Sequence, residues 1–166
     1  MTRGDAAPAR TSKQHTVIRT LNTLVNAIIR QIDADLQREH QLSRTEYIAL
    51  DSLYQAPDCT LMLSDLAAGC QQSLSATSRT VGRLQAQGLV RREQSTRDAR
   101  AHNAVLTEAG LKRYHEATPT HDNSMWHYLL HHLDGIDLDA FGDALQRIIA
   151  AVCPDISCDN ASLEAR

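Results

Sequence analysis

From His15 to His40 the apolar residues fall at Val17, Ile18, Leu21, Leu24, Val25, Ile28, Ile29, Ile32 and Leu36, with Asn, Arg, Asp and Gln between them. That spacing is helical and close to a heptad. A helix of about 25 residues is ~38 Å long, more than the core of one small domain requires. A second such stripe closes the chain after Asp137, at Leu138, Phe141, Leu145, Ile148, Ile149 and Val152. The whole chain has 166 residues, about one domain at ~150 residues each. Two long stripes at opposite ends of a one-domain chain predict burial against a second copy, hence a homodimer held by its terminal helices.

Several function classes drop out on composition. No apolar run approaches the ~18–20 residues of a membrane span. The opening MTRGDAAPARTSKQHTV has no apolar signal core, so a cytoplasmic protein is expected, with its four cysteines (59, 70, 153 and 158) reduced. None of these forms a C-x-x-C pair. The seven glycines include no G-x-G and no phosphate loop with its lysine. No nucleophile elbow is present either, so no enzyme and no cofactor is expected. Aromatics at 4% do not supply a platform for stacking single-stranded bases. Charge is uneven. Residues 59–113 hold eight basic and four acidic side chains, net +4, in a chain of net −3. A basic middle between acidic ends predicts a polyanion-facing module.

Local signals divide the chain as follows. Residues 1–13 lack periodicity and read as a flexible arm. Ser43 and Glu46 form a capping box opening a helix to Gln55, with Tyr47, Leu50, Leu53 and Tyr54 inward and Ala56–Pro57–Asp58 as its stop. A short helix is expected at Ser64–Gly69, capped by Ser64. Ser73 caps the next, which runs to Gln87 with Leu74, Thr77, Val81 and Leu84 inward and Gly88 as its left-handed terminus. Two helices joined by a tight turn make a helix-turn-helix. Leu89–Glu93 and Ala99–Leu106 then read as a two-stranded hairpin with a basic tip. Thr107–Glu108 opens a long helix with a kink at Pro119, continuing to Leu133.

The order of elements, and the stretch LSDLAAGCQQSLSATSRTVGRLQAQGLVRREQSTRDARAHNAVLTEAGL, resemble the MarR-type winged helix-turn-helix regulators of bacteria. The specific elements are R-L-x-x-x-G-L-V (Arg83–Val90), D-x-R-A (Asp98–Ala101) and L-T-x-x-G (Leu106–Gly110). The resemblance covers residues 63–111 by motif and about 15–153 by helix order. It departs at Ala99, where the family often has Arg, and at Gly82, where it commonly has Asp. It implies a mainly α fold with a small two-stranded β-wing. A winged helix-turn-helix domain (43–114) would join a dimerisation domain of terminal helices (14–42 and 115–153), with a tail at 154–166. It also implies an inverted-repeat operator in double-stranded DNA and release of that DNA, usually repressed, by a small molecule, metal or oxidant.

The residue chemistry fits that implication. On the 73–87 helix the expected outer face is Ser75, Ala76, Ser78, Arg79, Gly82 and Arg83. Small residues let a helix sink into a major groove. Arg79 can reach guanine O6 and N7, and Ser73, Ser75 and Ser78 suit phosphate or base-edge hydrogen bonds. Arg83, one turn on, is expected at the backbone. In the wing, Arg100 is expected in the minor groove. Asp98 is its orienting partner by the family pattern, with Arg97 as a further phosphate contact. Tyr47, Tyr54, Tyr114, Trp126 and Tyr128 are candidate walls of an effector pocket. His127 and His131 have zinc-chelating spacing on one helix, and Cys59 could be exposed, but neither forms a complete sensing site and no metal is expected. Cys70 is expected to be an inert buried thiol. The other reading is a winged-helix protein-interaction module without operator binding, or a regulator sensing zinc or thiol oxidation.

Overall fold

The computed structural model describes residues 11–94 and 102–152. These divide into two compact units at Tyr128/Leu129. In the first unit, α1 (Ser12–His40) starts earlier than the stripe predicts, because Thr11 and Gln14 form a capping box ahead of it. Only its C-terminal part is buried, at Ile32, Asp35 and Leu36. Val17, Ile18, Leu21, Leu24, Val25 and Ile29 are exposed, Val17 to 64%. α2 (Arg44–Gln55) has the expected capping box in full, with Ser43 and Glu46 bonding reciprocally.

β1 (Thr60–Met62) is a strand that the sequence does not announce. α3 (Leu63–Gly69) follows without a break. Its N-cap is Met62 with no side-chain hydrogen bond, not Ser64 as expected. α4 (Leu74–Ala86) is capped by Ser73 Oγ, which accepts from the Ala76 N–H at 3.2 Å. Gly88 takes φ +73°, the left-handed terminus. β2 (Val90–Gln94) and β3 (His102–Leu106) pair antiparallel, Val90 opposite Leu106 and Gln94 opposite His102. β1 adds to the other edge, Thr60 opposite Val105, so the sheet has three strands in the order β1-β3-β2 and is not a bare two-stranded hairpin. β3 is central, and Ala104, Val105 and Leu106 are all buried. These three form a continuous buried run at the end of the strand, not an alternating one.

α5 (Glu108–Tyr128) starts where Thr107 Oγ1 accepts from the Gly110 N–H and runs through Pro119. It stops at Tyr128 and not at Leu133. A turn of 3-10 helix, Leu130–His132, follows in the second unit. There α6 (Leu138–Val152) is capped by Asp137, whose carboxylate accepts from the Ala140 N–H at 3.0 Å. No residue of α6 is buried.

The core of the first unit joins Leu36 of α1, Leu42 of the turn after it, Leu50 and Leu53 of α2, Leu66 of α3, Val81 and Leu84 of α4, Val90 and Ala104 of the sheet, and Ala117 of α5. Polar bonds clamp α1 to α5. Ser124 Oγ donates to Asp35 at 2.7 Å, Thr120 Oγ1 to Glu39 at 2.7 Å, and Arg113 Nη1 to the His40 carbonyl at 2.8 Å. Among the described residues no helix is long and apolar enough to cross a membrane.

Candidate nucleic-acid interface

α4 turns Thr77, Thr80, Val81 and Leu84 into the core. That leaves Ser73, Ser75 and Arg79 exposed and Ala76 and Ser78 half-buried. Leu74 departs from the expected stripe. It is 57% exposed, because the first turn of α4 projects beyond the core that the rest of the helix packs on. The N-terminal turn thus presents an apolar branch among serines, a feature the sequence analysis placed on the wrong face. Ser73 Oγ lies 3.1 Å from Ser75 Oγ.

The arginines of this region differ in how they are engaged. Arg83 Nε donates to Glu46 Oε1 at 2.7 Å. The guanidinium side is 54% exposed, but the carboxylate side is only 6% exposed. Burial alone would raise the Glu46 carboxyl. The Ser43 backbone N–H, the Arg83 guanidinium and the Ser43 hydroxyl together outweigh burial and hold it below the usual carboxylate range. Arg83 is thereby tied to the start of α2. Arg91 Nε pairs with Glu93 at 2.6 Å on the exposed side of β2. Arg92 passes beneath α4, where Nη2 donates to the Ser78 carbonyl and, at 3.2 Å, to Ser78 Oγ. Sequence reasoning did not single out Glu46 or Arg92. The capping box marked Glu46 only as a helix start, and nothing local to Arg92 shows which helix its strand lies under. Among the described residues Arg79 forms no ion pair, and its α4 neighbour Arg83 does.

Arg97, Asp98 and Arg100, the expected wing contacts, lie outside the described residues, as do Cys153 and Cys158.

The candidate pocket aromatics separate. Tyr114 stacks on Tyr47 with ring centroids 5.7 Å apart and meets Tyr54 at 4.7 Å. Tyr47 also stacks on His121 at 4.5 Å. Tyr114 donates to Asp51 at 2.8 Å. Burial, followed by that bond, pushes its hydroxyl pKa well above the ordinary tyrosine value. This group is part of the core between α2 and α5. Trp126 is 55% exposed. A cleft of about 260 Å³ lies instead between α1 and α5, lined by Asp35, Arg38, Glu39, Thr120, Ser124 and Tyr128 among others.

α5 ends between His127 and His131, so the two do not share a face of one helix. Among the described residues no three His, Cys, Asp or Glu side chains cluster as metal ligands. Cys59 and Cys70 are both half-buried free thiols. Burial pushes the Cys70 thiol pKa up, away from the reactive thiolate.

Comparison with known proteins follows the same lines. The MarR family model matches residues 40–101. AbsC, a MarR family transcriptional regulator from Streptomyces coelicolor, is 29% identical; the alignment covers 88% of this chain and 98% of that one, with a TM-score of 0.80. Sco3205, a MarR family transcriptional regulator of the same organism solved in complex with DNA, is 24% identical over 91% and 94%, with a TM-score of 0.85. CouR from Rhodococcus jostii RHA1, solved bound to p-coumaroyl-CoA, is 18% identical over 81% and 90%, with a TM-score of 0.69. Among curated proteins none matches the sequence. Helix order, sheet topology and the capped α4 match the winged helix-turn-helix fold of these regulators, and residues 40–101 carry the sequence pattern of the MarR family model.

Proposed function

We propose that the protein is a homodimeric, sequence-specific double-stranded DNA-binding regulator, acting as a repressor through binding and not through catalysis. The 73–87 helix enters the major groove, and the wing bearing Arg97, Asp98 and Arg100 reaches the adjacent minor groove. The observation that carries this reading is Arg79. It stands exposed on a face of small residues, unpaired among the described residues, while neighbouring arginines are held by the protein's own acceptors. A side chain so placed suits bidentate recognition of guanine.

The dimer is supported by the bare apolar residues of α1 and by those of α6, where Leu138, Leu145, Ile148 and Val152 are exposed. A two-fold axis would set two recognition helices about 34 Å apart, one DNA turn, and so select an inverted repeat. A small molecule is the proposed releasing signal. CouR, of the same fold, was solved with a coenzyme A thioester bound, and the cleft between α1 and α5 lies where a ligand would touch the first of the dimer helices.

The test is selection of duplexes from a random-sequence library by the full-length protein, with sedimentation run in parallel. The expected result is a dimer that enriches an inverted repeat and binds it with a steep loss of affinity as salt rises. A monomer that enriches no sequence overturns the reading.

A further inference from the structure

Serine on a DNA-reading helix is ordinarily ambivalent, because its hydroxyl both donates and accepts. At Ser78 that freedom is restricted from behind. Arg92 Nη2 donates to Ser78 Oγ at 3.2 Å and to the Ser78 backbone carbonyl. The guanidinium is lodged between β2 and α4, where its Nε is a buried N–H with no partner among the described residues. A Cβ on Gly82, one turn beyond Ser78, would sit 3.7 Å from the same Nη2, in ordinary van der Waals contact, so position 82 lies directly against the guanidinium. With an N–H occupying one lone pair and a positive charge behind it, the hydroxyl dipole turns its hydrogen away from the cation. Ser78 is half-buried, so its side chain keeps a face to solvent.

Resting on the DNA-binding reading above, we propose that Arg92 is a positioning residue that makes Ser78 a hydrogen-bond donor on the recognition helix. Ser78 then favours acceptors on the base edge, such as guanine O6 or N7 and thymine O4, over the amino groups of adenine and cytosine. The same two bonds tie the wing strand to the middle of α4, so the helix and the wing keep a fixed relation as they dock.

The experiment uses the full-length protein, the duplex it enriches from a random library, and a random duplex of equal length. Ser78→Ala and Arg92→Gln should each weaken binding to the enriched duplex by about tenfold, the effect of a single lost base contact. They should leave the random duplex within about twofold, and Ser78→Ala/Arg92→Gln together should lose no more than either alone. Arg92→Lys, which keeps a cation and a donor, should restore much of the loss. Gly82→Asp offers the guanidinium a carboxylate and draws it off Ser78. It should relax base preference at the same position while the protein stays folded. Multiplying losses in the double variant, or equal losses on enriched and random DNA, overturn the proposal and leave the DNA-binding reading standing. A wild-type protein that enriches no duplex overturns both.

Discussion

Glu46→Gln separates charge from shape at the junction of α2 and α4. Glutamine at this position preserves the capping-box geometry, since its carbonyl oxygen still accepts from the Ser43 N–H. What it removes is the negative charge that receives Arg83 Nε at 2.7 Å and the Ser43 hydroxyl at 2.8 Å. Breaking a charge-assisted bond to a buried carboxylate costs roughly 1.5–3 kcal/mol. Arg83 is half in solvent, which reduces its share to about 1 kcal/mol or less. The sum expected at pH 7 is about 1–2 kcal/mol, a fall in Tm of roughly 3–6 °C for a chain of this size. The folded carboxyl titrates below its unfolded value of about 4.3. Its contribution is therefore complete above that value and fades as pH falls through the folded one. Thermal unfolding followed by circular dichroism between pH 7 and pH 3.5 should show the wild type and Glu46→Gln converging at the acid end. A constant difference across that range would refute the argument, because it would mean that shape and not ionisation was lost.

Arg79→Ala should cost roughly 1–3 kcal/mol of operator affinity and relax base preference at one position in each half-site, read by fluorescence anisotropy at fixed salt. Gly110→Ala should destabilise by more than about 2 kcal/mol, because its Cβ would lie 2.0 Å from the Leu89 carbonyl oxygen, a backbone atom that cannot swing aside; denaturant unfolding of the purified variant checks it. Leu74→Ala should lower affinity a few-fold, and wild type should show the same loss on an operator carrying uracil for one thymine, since the exposed Leu74 side chain suits contact with a thymine methyl. Equal binding of the thymine and uracil duplexes at every position of the half-site would exclude that contact.

Helix positions were legible where a local signal sets them. Ser43 with Glu46, Ser73, Gly88 and Asp137 all act at helix ends as their residue types predict. The failures share a cause, which is that the deciding contact is remote in sequence. β1 is three residues long and exists because Thr60–Met62 meet Val105–Asn103, more than forty positions away. Leu74 fits the periodic stripe, but periodicity does not tell where a helix outruns its core. The end of α5 at Tyr128 is marked by no glycine or proline, so helical propensity carries the expectation on to Leu133. The exposure of Arg79 was legible because outward helical spacing predicts it. The engagement of Arg83 and Arg92 was not, since Glu46 lies 37 positions from Arg83 and Ser78 lies 14 from Arg92, each on another element.

This difference changes what the basic middle of the chain means. The net +4 of residues 59–113 suggests a surface that attracts phosphate in proportion to its charge. The fold distributes that charge otherwise. Arg83 fastens α4 to α2, Arg92 fastens β2 to α4, and Arg113 fastens α5 to the end of α1. Each bridges two elements that must hold a fixed relation if a helix is to lie at one angle in a groove. A guanidinium suits such bridges because its planar fork fixes direction as well as charge. In this region arginine therefore does two jobs. On the proposed reading Arg79 faces the nucleic acid, and Arg83, Arg92 and Arg113 stiffen the frame that aims it. Sequence specificity would then depend on the second group as much as the first, because a base contact misplaced by an ångström is lost while a phosphate contact merely weakens.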